Sequence, residues 1–251
     1  MLLDKLQKEE AHIWFAIPNK IKNSKVIAKL LSLLSAEEIN KHNRFHFSED
    51  RHLYLVSHAL VRNVLAKYLE KQPADLIFHY TKHGKPEVWL SKNDPVIRFN
   101  LSHTAGLAAC IVTMNDDCGI DAEAIVNKTA SLDVAHLMFS DSEFEHLKSL
   151  TGRSYLEEFF TRWTLREAYV KALGRGVDYP TNKLLFNIRS DRDIEVSCQG
   201  ACDDTSQYWQ FQVIRPTPNH IVTTAIKGEN KKQRRIIIKD GSADNWIAAH
   251  Y

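Results

Sequence analysis

The chain has 251 residues, of which 44% are hydrophobic, 10% aromatic and 25% charged. That suffices for one large or two small folded units, and with 9 glycines and 7 prolines the composition is neither disordered nor fibrous. The 33 Lys and Arg nearly balance the 31 Asp and Glu, and the resulting net charge of +2 argues against a nucleic-acid binder while leaving room for a local basic pocket. No apolar run reaches the roughly 18 residues that cross a bilayer, and the opening Met1-Leu2-Leu3-Asp4-Lys5 lacks a secretory pattern. Cys110, Cys118, Cys198 and Cys202 make no C-x-x-C pair and read as reduced thiols. A cytoplasmic protein that engages neither membrane nor nucleic acid is expected.

In chain order, a strand over His12 to Ile17 is stopped by Pro18, and a helix follows from about Asn23 to Leu34. Ser35 with Glu38 is the pattern of a capping box, opening a short helix that ends near Arg44. Ser48 starts a long helix in which Leu53, Val56, Leu60 and Val64 recur at helical spacing until about Lys71, before Pro73. The period then changes to two. Strands are expected at Leu76 to Tyr80 and Val88 to Leu90, flanking the turn from Lys82 to Pro86, and again at Val96 to Leu101 and Leu107 to Thr113. After the turn Asn115-Asp116-Asp117, the segment from Cys118 to Glu123 is again extended.

Helices resume near Ser131, and Ser140 with Glu143 repeats the capping-box pattern. A second long helix runs from about Ser154 to Leu173, where Gly174 can adopt the left-handed C-terminal conformation. The remainder is strand-rich: Leu184 to Ile188, Ile194 to Cys198, Tyr208 to Ile214, Ile221 to Ile226 and Arg235 to Lys239. Helices followed by strands, twice over, is an α+β order rather than an alternating one. The turn at Asn115 divides it into residues 1–114 and 115–251, two halves of similar kind. The basic run Lys231-Lys232-Gln233-Arg234-Arg235 reads as a solvated charged segment.

Three clusters could carry chemistry. Asp121 and Glu123 lie two apart in an extended segment, so both carboxylates project from one face, where they repel unless a cation lies between them. A hard divalent ion suits such ligands; a solvent-facing strand edge would show the same spacing. Trp163, Glu167 and Lys171 recur four apart along one helical stripe. By spacing alone this pattern suits a surface Glu–Lys pair beside a core Trp better than a third metal ligand and a phosphate-facing lysine. Phe99-Asn100-Leu101-Ser102-His103-Thr104 ends a strand with groups that could hydrogen-bond a phosphate, and the Gly84-Lys85-Pro86 turn offers a cation.

In this order the segments resemble the Sfp-type 4′-phosphopantetheinyl transferases. That family is marked by a Gly-Lys-Pro turn, a Phe-Asn-(Leu/Ile)-Ser-His strand, Gly-Ile-Asp-x-Glu and Trp-(Ser/Thr)-x-Lys-Glu-(Ala/Ser)-x-x-Lys. They stand here as Gly84-Lys85-Pro86, Phe99 to His103, Gly119 to Glu123 and Trp163 to Lys171. Arg44-Phe45 before Glu49-Asp50 also looks like the family's N-terminal half. Two positions depart from the pattern. Arg166 replaces the usual Lys, with a wider planar head that could remodel a contact, and Ala122 replaces the commoner Ile as a packing change.

The resemblance implies a pseudo-twofold pair of α+β subdomains, each a small, mainly antiparallel sheet on a long helix, with the active site in the cleft between them. It implies transfer of the 4′-phosphopantetheine arm of coenzyme A to a serine of an apo acyl carrier protein or a peptidyl or polyketide carrier domain, releasing adenosine 3′,5′-bisphosphate. Asp121, Glu123 and Glu167 would hold Mg²⁺, or Mn²⁺ in its place. Glu167 would be the base, Lys171 would face the pyrophosphate, and Lys85, Ser102, His103, Arg44 and Arg51 would bind the remaining parts of coenzyme A. An active monomer is expected. The three acids also allow another Mg²⁺-dependent phosphoryl-transfer enzyme, and the fold allows a non-catalytic carrier-protein binder.

Overall fold

A computed structural model describes residues 5–126, 129–176, 179–200, 208–228 and 232–242. The chain divides into two units, Met1–Asn115 with Arg235–Tyr251, and Asp116–Arg234. Each carries one 22-residue helix on a small sheet, with a short hairpin beside it.

In the first unit, strand β1 (Glu10–Ala16) precedes helices α1 (Ser24–Ser32), α2 (Ala36–Arg44) and α3 (Ser48–Leu69). Asn23 caps α1, and the Ser35/Glu38 box at the start of α2 is fully formed. Helix α3 ends where Glu70 takes a left-handed conformation, φ 52°, followed by Pro73. Strands β2 (Phe78–Tyr80) and β3 (Pro86–Val88) form the hairpin, then come β4 (Ile97–Thr104) and β5 (Leu107–Met114). Leu55, Val56, Ala59, Leu60 and Val64 of α3 are buried in one core with Trp14, Ala108, Cys110 and Val112 of the sheet. At roughly 1.5–3 kcal/mol per fully buried large aliphatic side chain, this interface dominates the unit's stability.

The second unit begins with β6 (Asp117–Ala124), continues through α4 (Leu132–Met138), α5 (Asp141–Lys148) and α6 (Gly152–Leu173), and closes with β7 (Leu184–Ile188), β8 (Ile194–Cys198), β9 (Tyr208–Thr217) and β10 (His220–Gly228). The Ser140/Glu143 capping box and the left-handed Gly174 cap, φ 65°, are both present. The sheet runs β6-β10-β9, antiparallel throughout, and α6 packs across β6 and β10. Phe160, Leu165, Ala168, Tyr169 and Ala172 share its core with Phe211, Val213, Ile221 and Ala225.

Three sequence expectations need correction. The last strand, β11 (Arg235–Asp240), pairs in parallel with β1. The first unit's sheet is therefore β11-β1-β5-β4, and residues 235–242 leave the C-terminal half assigned to 115–251. The basic run is not simply solvated: Arg234 is buried and holds Asp116 through both Nε and Nη2, while Arg235 pairs with Glu10. Lys231 lies outside the described residues. Cys198 is disulfide-bonded rather than reduced, Cys110 and Cys118 are buried thiols, and Cys202 lies outside the described residues. Among the described residues no helix is long and apolar enough to cross a membrane.

Candidate active site

The candidate acids lie on facing surfaces of β6 and α6. Gly119 sets their separation. A Cβ built on it would lie 2.0 Å from the Ala168 carbonyl oxygen and 2.5 Å from the Ala172 nitrogen, so only a glycine lets the strand approach the helix this closely. The hydroxyls of Thr164 on α6 and Thr223 on β10 meet at 2.7 Å, and Thr223 is the ladder partner of Asp121. This bond pins the helix to the sheet beside the acids. The sequence offered no signal for it, because two threonines 59 residues apart carry no recognisable pattern.

Against this frame, Lys171 Nζ donates to Asp121 Oδ1 at 2.6 Å. Asp121 is 4% exposed. Burial pushes the Glu123 carboxyl up to about 7, Asp121 and Glu167 adding to the rise while Lys171 and a hydrogen bond from Trp163 oppose it. Burial also raises Glu167, with Asp121 adding and Lys171 opposing. The three carboxylates and one ammonium thus form a single electrostatic cluster. Trp163 stacks on Phe159, with ring centroids 6.0 Å apart.

Among the described residues, no three His, Cys, Asp or Glu side chains stand together in metal-ligating geometry. The donor set nevertheless fits a hard divalent cation. It is all oxygen, and the charge of Asp121 adds to the raised pKa of both Glu123 and Glu167, a repulsion that a cation between them would relieve.

Arg166 does not face this cluster. It is 1% exposed and pairs with Glu143 of α5, and it donates to the carbonyls of Thr181, Arg162 and Leu184 at 3.2, 3.2 and 2.9 Å. Its guanidinium lies over Phe139 at 4.7 Å and Phe186 at 5.4 Å. The planar head that marks the departure from the family motif serves the core of this unit, not a ligand.

The other candidates belong to the first unit. Lys85 sits in the hairpin turn, its backbone bonded to Thr81 on both sides and Gly84 supplying φ 83°. Ser102 and His103 end β4 opposite Ala109 and Ala108; as consecutive strand residues they project from opposite faces, Ser102 buried and His103 exposed. Arg44 is the exposed last residue of α2. Arg51 is half-buried and donates to the Phe45 carbonyl at 2.8 Å, bracing the connection between α2 and α3.

Residues 117–225 match the 4′-phosphopantetheinyl transferase superfamily model, and residues 22–115 match the model of a 4′-phosphopantetheinyl transferase N-terminal region. The 4′-phosphopantetheinyl transferase HetI of Nostoc sp. (strain PCC 7120) is 30% identical over 226 residues, covering 89% of this chain and 90% of that protein. The chain belongs to the 4′-phosphopantetheinyl transferase superfamily. The family's Sfp of Bacillus subtilis (strain 168) is 29% identical over 171 residues, or 68% of this chain and 73% of its own. A crystal structure of a holo-(acyl-carrier-protein) synthase from Bacillus anthracis in complex with coenzyme A overlays 45% of this chain and 96% of its own at 16% identity, with a TM-score of 0.38. As a 4′-phosphopantetheinyl transferase the chain is an enzyme, which sets aside the non-catalytic binder and the unrelated phosphoryl-transfer enzyme.

Proposed function

We propose that Asp121, Glu123, Glu167 and Lys171 are the working residues of a reaction in which the chain transfers the 4′-phosphopantetheine arm of coenzyme A to a serine hydroxyl of an apo carrier protein. The observation that carries this reading is the Lys171–Asp121 pair beside two carboxyls, Glu123 and Glu167, that burial and the Asp121 charge raise, at the motif positions that mark the family.

The serine oxygen attacks the phosphorus that bears the pantetheine arm, the pyrophosphate P–O bond breaks, and adenosine 3′,5′-bisphosphate leaves. Glu167 takes the serine proton, directly or through a water, a role that competes with metal ligation because a bound cation weakens a carboxylate base. Lys171 donates to a pyrophosphate oxygen, a charge-assisted bond worth about 1.5–3 kcal/mol. Asp121, Glu123 and Glu167 would hold Mg²⁺ or Mn²⁺, which when bound offsets negative charge developing on the leaving group. Lys85, Ser102, His103 and Arg44 bind the phosphates and nucleotide end of the substrate. Arg51 contributes through the connection it braces. The enzyme acts as a monomer in the cytoplasm.

Mass spectrometry of apo carrier proteins incubated with the chain, coenzyme A and Mg²⁺ tests the reading. One phosphopantetheine gained on serine is expected, and none with Asp121→Asn, although that variant should melt within a few degrees of the wild type. Wild-type turnover by Asp121→Asn would refute the assignment of the cluster.

A further inference from the structure

We propose that Lys171 is a resident counter-ion of the acid cluster, holding Asp121 until a divalent cation and the substrate phosphate arrive together to exchange partners with it. This rests on the reading of Asp121, Glu123 and Glu167 as the metal ligands, and it adds an order to their filling.

The geometry supports it. Lys171 follows Glu167 by one helical turn on α6, and Asp121 precedes Glu123 by two residues on β6, so the ammonium that reaches Asp121 comes from the helical stripe that carries the third acid. Nζ reaches Oδ1 at 2.6 Å, with the Asp121 side chain 5% and the Lys171 side chain 30% exposed. The long stem thus runs from the surface inward to a buried carboxylate. A bound divalent ion would meet the like charge of Lys171 at close range, and the carboxylate it needs would already be engaged.

A polyphosphate changes that balance. Its oxygens offer the ammonium an alternative anionic partner, which frees Asp121. The competition therefore disfavours metal binding to the empty enzyme and favours it with coenzyme A, a coupling that must be reciprocal. The side chain that restrains the metal is the one the reaction then uses.

The test is titration of the full chain with Mn²⁺ alone, followed by water-proton relaxation, and then with coenzyme A present. For Lys171→Met, Mn²⁺ affinity without coenzyme A should rise about tenfold, equivalent to ~1.4 kcal/mol, and the gain that coenzyme A confers on the wild type should shrink. Lys171→Gln, which keeps a polar head of similar reach, should move the same way and guards against a folding defect in the first variant. The rise should vanish when either substitution is combined with Asp121→Asn. Unchanged or weaker Mn²⁺ binding by both lysine variants, with Asp121→Asn still abolishing it, would overturn the competition and leave the metal site standing. Absence of Mn²⁺ binding to every form would overturn both. A gain that persists beside Asp121→Asn would show that Lys171 does not act through that carboxylate.

Discussion

Replacing Gly119 with alanine tests whether the spacing of β6 and α6 sets activity. The added Cβ would sit 2.0 Å from the Ala168 carbonyl oxygen and 2.5 Å from the Ala172 nitrogen, whereas non-bonded carbon contacts are most favourable at about 3.5–4.0 Å. Both obstructions are backbone, so no rotamer change relieves them, and strand and helix must part by about 1 Å or more. Overpacking of this kind costs about 1–3 kcal/mol. For a chain this long, each kcal/mol lowers Tm by roughly 2–4 °C, which gives a fall of about 2–12 °C. The catalytic loss should be larger than the stability loss suggests. Asp121 and Glu123 ride on the strand that moves, Glu167 and Lys171 on the helix, and a misplacement near 1 Å can cost about 100-fold in rate. Thermal melting and kcat/KM for phosphopantetheine transfer, measured on the same preparation, are the assays. A variant that melts within 1 °C of the wild type and turns over within twofold would refute the reasoning.

Glu38 makes stability acid-sensitive. Hydrogen bonds and charge from His58, Ser35 and Arg62 outweigh burial and hold its carboxyl down at about 2 from 4.5. Because the folded pKa is depressed, the stabilisation is present above pH 4.5 and lost as pH falls toward 2; it amounts to about 3 kcal/mol. Urea melts of Glu38→Gln should lose most of this pH dependence, and an unchanged acid limb would contradict it. Arg166→Met removes one partner of a buried ion pair with Glu143 and should cost about 3–5 kcal/mol. Its double-mutant cycle with Glu143→Gln should show strong coupling, whereas additive losses would sink the pairing. His103→Ala should raise KM for coenzyme A several-fold with little change in kcat, since the exposed ring is assigned to binding; an unaltered dissociation constant by calorimetry would count against that role.

Much of the local structure was legible in the residues alone. Ser35 with Glu38, Ser140 with Glu143, and Gly174 after Leu173 mark helix ends, because capping is settled by hydrogen bonds among neighbours three or four residues apart. The spacing of Asp121 and Glu123, and of Trp163, Glu167 and Lys171, likewise told which side chains share a face, since backbone periodicity alone dictates that. Long-range pairing belonged to the tertiary structure. Nothing local distinguishes β11 as a partner of β1 from a further strand of the second unit, and nothing marks Arg234 for Asp116, 118 residues away. Nor does the Trp-Thr-Leu-Arg-Glu run reveal that Arg166 turns to Glu143 while Lys171 turns to Asp121. Which charges meet is decided by sheet register and by the close approach that Gly119 permits, and both exist only once the strands have paired and the helix has docked.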